Sequence, residues 1–253
     1  MASDERLLWI AAIACAVAAG LCLVALAVAA PRILGVHPAL KPLKFAISIG
    51  LFLATMAVLV PQLATSPAVR LALAIVLVAT NAVELALIAV QALRGRTSHF
   101  NVATSLDATI TISMAGAIVV MLGAVIAIAL LATVRALPGD GALALAWRVG
   151  LWLFALVAIS GFAMVSRGQH TIGAPDGSAG LPVVNWSRAH GDLRVAHFLA
   201  LHALQVLPLL ALACRWLPVE AATRTAIVGL GSAGYAALAV AAYVGALAGR
   251  AAL

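Results

Sequence analysis

Residues 188–208 read RAHGDLRVAHFLALHALQVLP, a segment that starts as a polar loop and continues as an apolar helix. At about 100° per residue, one side of this helix collects the polar residues Arg194, His197, His202 and Gln205. Leucine, valine, alanine and phenylalanine fill the other side. Because an ionisable group in the hydrocarbon core costs roughly 2.5–3.5 kcal/mol, we expect this membrane span to turn its polar face inward.

The composition is that of a polytopic membrane protein. Of the 253 residues, 65% are hydrophobic and 9% are charged, whereas soluble domains carry about 25% charged residues. The net charge of +7 comes from basic residues scattered singly. It therefore indicates anchoring at lipid headgroups and no nucleic-acid partner. The three cysteines form no CxxC pair, so the sequence predicts neither a disulfide framework nor a zinc knuckle.

Seven apolar segments are long enough to cross a bilayer, which takes about 20 residues per helix. We predict an all-α fold: a polytopic integral membrane protein whose single domain, residues 1–253, is a bundle of seven transmembrane helices. The predicted spans are residues 7–30, 42–60, 71–93, 108–134, 142–166, 193–214 and 226–249. The first exceeds the apolar core of a signal peptide, about 7–15 residues, so we expect it to be retained. The alanine-rich composition favours a bacterial inner (cytoplasmic) membrane.

Polar residues gather at the ends of spans two, three, four and six, which alternation puts on one face of the membrane. This convergence predicts one polar site with three kinds of residue. We expect catalytic groups in Glu84, Arg194 and Asp107, metal or cofactor ligands in His99, His197 and His202, and ligand contacts in Lys44, Gln91, Arg94 and Gln205.

Several of these residues also have plain structural interpretations. Lys41 and Lys44 suit snorkelling headgroup anchors, and Asp107 suits a helix cap together with Thr104. Glu84 is too deep in its span for that kind of role, and we expect Arg194, Lys44 or a histidine as its partner.

The two histidines of span six are five positions apart, so their side chains diverge by roughly 140°. They suit two separate centres, or one ligand and one orienting group.

Three functions fit this pattern. The first is a membrane metal- or haem-binding protein with a redox or hydrolytic role, holding haem b or a transition metal. The second is a transporter or channel for a small solute, an anion or protons. The third is a non-enzymatic sensor or assembly subunit in which the polar cluster is a structural ion network. The sequence decides neither the cofactor nor whether the protein is an enzyme.

The long segment 167–192 is the richest loop. Gly177-Ser178-Ala179-Gly180 predicts a mobile stretch, and Leu181–Trp186 a lid that packs back on the mouth of the site. In span seven, Gly245 and Gly249 form a GxxxG pair that would allow a homodimer. The expected partners are thus the lipid bilayer, a small-molecule ligand and a second copy of the chain.

One resemblance comes from two motifs. Residues 91–101 read QALRGRTSHFN and residues 191–205 read GDLRVAHFLALHALQ, a pattern that resembles an uncharacterised family of bacterial seven-span multipass membrane proteins over most of the chain. The resemblance implies no activity. The alkaline ceramidase and receptor-like hydrolase superfamily has an HxxxH pair in its last span. Here the spacing is HxxxxH in span six, so that match fails.

Charge bias gives a membrane orientation. Nine basic residues fall on the side of the long loops and six on the amino-terminal side. This places the long loops in the cytoplasm and the amino terminus outside. Without Arg94, Arg188 and Arg194, which are candidate site residues, the count is six against six.

Overall fold

The structure, a computed structural model, describes residues 1–177 and 180–251. Over those residues it contains seven helices that are long and apolar enough to cross a membrane. They are α1 (Ser3–Ala25), α2 (Leu40–Leu59), α3 (Pro67–Leu93), α4 (Ser105–Val134), α5 (Gly141–Arg167), α6 (Leu193–Cys214) and α7 (Ala221–Leu247). A 3₁₀ turn, Val60–Gln62, extends α2, and β1 (Thr171–Ile172) pairs antiparallel with β2 (Gly191–Asp192). The predicted all-α fold is confirmed, and the chain is a multipass membrane protein.

The helix ends differ from the predicted spans where local chemistry intervenes. α6 has the predicted bounds, but α1 ends at Ala25, five residues before the predicted Ala30. Residues 26–27 continue as a turn, and Pro31 keeps only its immediate neighbour, Ala30, out of the helical region. α7 ends at Leu247, so Gly249 lies beyond it with φ of 73°. The predicted GxxxG pair is therefore not a pair on one helix face, and the homodimer stays a prediction.

Residues 1–124 form one compact unit that holds α1, α2, α3 and the first part of α4. Small residues allow close packing of α1 and α2, where Ala19 and Ala46 are buried beside Leu43. Ile88 of α3 packs with residues of α4. α3 begins cleanly because Ser66 accepts a hydrogen bond from the Val69 N–H, and Pro67 occupies the first helical position.

Residues 125–253 are grouped in the second compact unit, within which Ser178, Ala179, Ala252 and Leu253 lie outside the described residues. Its core lies between α5, α6 and α7 and is built largely of alanine, with Leu207, Cys214 and Val228. Gly150 makes this possible, since a Cβ there would lie 3.0 Å from the Ala203 carbonyl oxygen. α5 and α6 thus approach backbone to backbone, as small residues permit in membranes.

The loop between α5 and α6 is folded. Gly168 ends α5 in a left-handed conformation, and the β1–β2 pair closes the loop at its base. α7 packs directly on β2, and a Cβ on Gly191 would overlap the Ala246 carbonyl oxygen, so the close approach requires glycine there. Two residues of the predicted mobile stretch, Ser178 and Ala179, lie outside the described residues.

Candidate functional site

Glu84 is buried in α3, where its carboxylate faces a histidine of the α3–α4 loop. The residue is 2% exposed, and its Oε1 lies 3.3 Å from His99 Nε2. Its other oxygen, Oε2, is buried and accepts no hydrogen bond from any residue that the structure describes. Glu84 lies nine positions before Leu93, where α3 ends, a distance of about 14 Å along the helix at 1.5 Å per residue. Nearly all buried polar groups are hydrogen-bonded, so this half-satisfied carboxylate is unusual.

The second ring nitrogen of His99 faces two donors. Lys41 Nζ lies 3.2 Å from Nδ1, and Ser98 Oγ lies 3.0 Å from the same atom. The ring also packs against Phe45, with centroids 5.8 Å apart. Lys41, His99 and Glu84 therefore form a continuous chain from the first turn of α2 into the interior of α3. We call these three residues the relay.

The α3–α4 loop has its own hydrogen bonds, which hold His99 in this position. The Asn101 side chain donates to the Thr97 carbonyl at 3.1 Å and accepts from the Ala103 N–H at 3.1 Å. The Thr111 hydroxyl of α4 donates to the Asn101 carbonyl at 2.8 Å. Phe100 has a φ of 59°, a conformation that bulky residues rarely adopt. These contacts fix the backbone of the loop around His99 and so hold its imidazole in place.

Hydrogen-bond chemistry assigns the proton on the ring. An ionised Glu84 can only accept, so His99 Nε2 must carry the hydrogen and donate it. Nδ1 is then a lone pair that accepts from the Lys41 ammonium or the Ser98 hydroxyl. With Glu84 ionised and Lys41 protonated, a neutral imidazole lies between a cation and a buried anion.

Ser98, His99 and Glu84 lie in the order of a serine–histidine–acid triad. Ser98 is 3% exposed, however, and it shares its ring nitrogen with Lys41. A buried hydroxyl without access to a substrate makes a poor nucleophile, so this geometry favours proton transfer over acyl transfer.

Asp107, predicted as a catalytic group or a helix cap, belongs to a closed network. It is fully buried and accepts from Gln91 Nε2 at 2.9 Å, Arg94 Nη1 at 2.7 Å and the Thr104 hydroxyl at 2.7 Å. The Asp107 N–H donates in return to Thr104 Oγ1 at 3.1 Å, as at a helix N-terminus. Arg94 also donates to Gln91 Oε1 at 2.5 Å. These contacts favour the cap, because they link the end of α3 to the start of α4.

Arg194, predicted as catalytic, clamps the α5–α6 loop. Its guanidinium donates to both oxygens of Asp192, at 2.9 and 2.6 Å, and to the Asn185 carbonyl at 2.6 Å. Asp192 is 1% exposed and also accepts from the backbone N–H groups of Arg194 and Ser187. Asp192 is therefore the N-cap of α6 and the anchor of the loop. The predicted lid, Leu181–Trp186, ends where this clamp holds it.

The two histidines of α6 have separate partners. His197 Nδ1 lies 3.0 Å from the Ser160 hydroxyl of α5. His202 Nδ1 lies 2.8 Å from the Phe198 carbonyl, and its ring stacks on Phe198 with centroids 3.9 Å apart. Gln205 follows three residues further along α6. Among the described residues, no three histidine, cysteine or acidic side chains are close enough to hold a metal ion.

The structure thus sorts the predicted residues into small groups. Glu84 pairs with His99, the histidine alternative among its expected partners, and Gln91, Arg94 and Asp107 share one network. Lys44 lies one turn after Lys41 in α2 and is half-buried.

Three contributors were missed or underrated by the sequence analysis. Lys41 was interpreted as a headgroup anchor, Ser98 was given no role, and Asp192 was not singled out. An acidic residue directly before the apolar run of α6 was the available signal for Asp192.

Compared with models of protein families, with curated proteins and with solved structures, the chain matches none of them. The resemblance to a bacterial multipass family therefore stays a prediction.

Proposed function

We propose that this protein transfers protons through the membrane and that the relay is its entry path. The observation that carries the proposal is the buried Glu84 carboxylate, with one oxygen facing His99 and the other without a hydrogen-bond donor among the described residues. Ionisable residues inside membrane spans are costly and commonly mark proton or ion pathways. Glu84 lies about 14 Å along α3 from the end of that helix, and a hydrocarbon core is about 30 Å thick.

The chemistry of one transfer follows from the ring assignment. A proton passes from the Lys41 ammonium to His99 Nδ1, which makes the ring an imidazolium and leaves a neutral amine. The Nε2 proton then passes to Glu84 Oε1, so the carboxyl is protonated and the imidazole is neutral with its hydrogen on Nδ1. Return of that hydrogen to Nε2, by ring rotation or exchange with solvent, resets His99 for the next transfer. Lys41 regains a proton from the solvent at the membrane face. The Glu84 carboxyl can turn its proton toward the side on which Oε2 lies and release it there.

Proton flux into liposomes tests this proposal. Purified protein would be reconstituted with a pH-sensitive dye inside and a potassium–valinomycin potential to drive protons. We expect proton entry well above that of empty liposomes, and entry at the empty-liposome level for Glu84→Gln, which cannot be deprotonated. Lys41→Met should slow entry.

The control is Glu220→Gln, since Glu220 is an exposed carboxylate at the start of α7 without a side-chain capping bond. It should match the wild type. Wild-type flux equal to that of empty liposomes, or full flux in Glu84→Gln, would overturn the proposal. The latter result would favour the third function, a structural ion network in a sensor or assembly subunit.

The metal or haem hypothesis rests on different atoms. Both ring nitrogens of His99 face protein groups, and His197 and His202 each use Nδ1. A metal or haem iron would therefore bind Nε2 of His197 or His202, with Nδ1 holding the ring in place. A Soret band or a stoichiometric metal in the purified protein would support this second candidate, which proton flux alone does not address.

The cellular setting is part of the proposal. We place the protein in a bacterial inner membrane because its composition is alanine-rich and its charges sit at span ends. There a transmembrane proton gradient would drive the relay. The other expected partners, a small solute carried with the proton or a second copy of the chain, would bind through separate surfaces.

A further inference from the structure

A lateral cleft opens between three spanning helices of the second unit, well apart in sequence from the relay. It has a volume of about 120 Å³ and is lined by residues of α5, α6 and α7. The lining is apolar except for the Ser160 and Tyr243 hydroxyls, and the rest consists of leucine, isoleucine, valine and alanine side chains, Ala236 among them. An apolar cavity of about 150 Å³ holds a molecule such as benzene, so this cleft suits a short length of hydrocarbon.

The surroundings of the cleft decide what can enter. Leu156, Ile159 and Val240 are each more than half exposed, so the lining continues onto the outer surface of the helices. Those helices cross the membrane, where the surrounding medium is lipid. The occupant must therefore be a molecule that is dissolved in the bilayer.

The Ser160 hydroxyl gives the cleft a polar end. Ser160 donates its only hydrogen to the Val157 carbonyl at 2.8 Å, so His197 Nδ1, at 3.0 Å, is the donor to Ser160 Oγ. A hydroxyl oxygen accepts two hydrogen bonds, and one lone pair of Ser160 is left for a donor in the cleft. The Tyr243 hydroxyl makes no hydrogen bond with any residue that the structure describes, and it can accept or donate.

We infer that this cleft binds a single-chain membrane lipid with a hydroxyl head. The hydrocarbon chain lies against the alanine and leucine side chains, and the head hydroxyl donates to Ser160 Oγ. A carboxylate head fits less well, because it has no hydrogen to donate to Ser160. A polar group that is buried in hydrocarbon without a partner is unfavourable. The cleft should therefore bind a lipid whose hydroxyl donates to Ser160 more tightly than it binds a plain hydrocarbon.

Photo-crosslinking tests this inference. The full-length protein would be placed in phosphatidylcholine nanodiscs and labelled with a long-chain alcohol that carries a diazirine, with the matching diazirine alkane as a second probe. Mass spectrometry should place the alcohol label on peptides that contain Leu156, Val240 and Tyr243. Excess unlabelled alcohol should compete with it.

Two neighbouring alanines supply a matched pair of variants. Ala236→Phe fills the cleft, whereas Ala237→Phe adds the same side chain at an exposed position outside the lining. We expect Ala236→Phe to lose most of the alcohol label and Ala237→Phe to keep it. Equal labelling of the two variants, or label spread evenly over all helices, would overturn the inference.

Ser160→Ala tests the head group with the alkane probe as a check on folding. Removing one neutral hydrogen bond should weaken labelling by the alcohol about twofold to tenfold, with alkane labelling unchanged. If the alcohol and the alkane label the wild type equally and with the same response to Ser160→Ala, the cleft has no hydroxyl-specific site. The assignment to hydroxyl lipids would then be wrong.

Discussion

Replacing Asp192 should destabilise the second unit more than replacing any exposed helix cap. In Asp192→Ala, α6 loses its N-cap, which costs about 1 kcal/mol. The bonds from the Arg194 guanidinium, whose side chain is 26% exposed, account for about 1–2 kcal/mol after allowance for solvent. The Ser187 N–H loses its acceptor, which costs a further ~1 kcal/mol. The expected loss in the free energy of unfolding is therefore about 3–4 kcal/mol.

Asp140 supplies the matched control because it is the N-cap of α5 and also pairs with an arginine. The Leu143 N–H donates to it at 2.9 Å, and Arg215 Nε lies 3.2 Å away. The capping bond and the nearby Arg215 charge hold the pKa of Asp140 below its usual range, although partial desolvation opposes them. This pair is exposed to solvent, so Asp140→Ala should cost only about 1–2 kcal/mol. Asp192→Asn should be intermediate, since asparagine caps as well as aspartate but removes the charge.

Thermal unfolding with a thiol-reactive dye would measure the difference. Cys214 is a buried free cysteine of the second unit, so a chain in which Cys15 and Cys22 are replaced by alanine reports on Cys214 alone. At about 3 °C per kcal/mol for a chain of this size, Asp192→Ala should lower the apparent Tm by about 10 °C and Asp140→Ala by about 4 °C. Equal shifts in the two variants would refute the reasoning that the buried clamp carries the loop.

Three other outcomes are expected. Burial alone would raise the pKa of Asp176, but hydrogen bonds from His170 and Thr171 hold it well below its usual range. The ionised Asp176 carboxylate should stabilise the loop fully above the unfolded pKa of about 3.9, and this stabilisation should fade as pH falls toward the folded pKa. Hydrogen exchange in the loop should show that loss in the wild type but not in Asp176→Asn. Asp107→Ala should lower the apparent Tm by several degrees, since it leaves the buried Gln91 amide and the more exposed Arg94 and Thr104 donors without an acceptor. An unchanged Tm would mean that this network is not structural. Reporter fusions after Arg135 and Gly177 should give signals on opposite sides of the membrane, with Gly177 cytoplasmic, and the reverse result would invert the predicted orientation.

The amino-acid sequence by itself determined the membrane fold. Spans of about 20 apolar residues have few alternatives in a bilayer, because every backbone polar group must be satisfied within the helix. That constraint is local, so it can be read from one segment at a time, and the bounds of α6 follow from it.

The sequence also showed which residues were unusual, but not what they contact. Glu84 stood out because a carboxylate deep in a span is costly wherever its partner lies. His99 is its partner only because the α3–α4 loop turns back at Asn101. Arg194 stood out for the same reason as Glu84, and it proved to be bonded to Asp192, two residues away.

Tertiary structure decided how the polar residues are divided. A helical wheel shows that His197 and His202 share a side of α6, but it does not show that Ser160 of α5 meets one and that Phe198 stacks on the other. Such contacts depend on how closely the helices approach, and Gly150 sets that distance for α5 and α6. Packing is a property of pairs of helices, whereas hydrophobicity is a property of each helix alone. For that reason the spans could be predicted from the sequence, and the relay and the cleft could be found only in the folded chain.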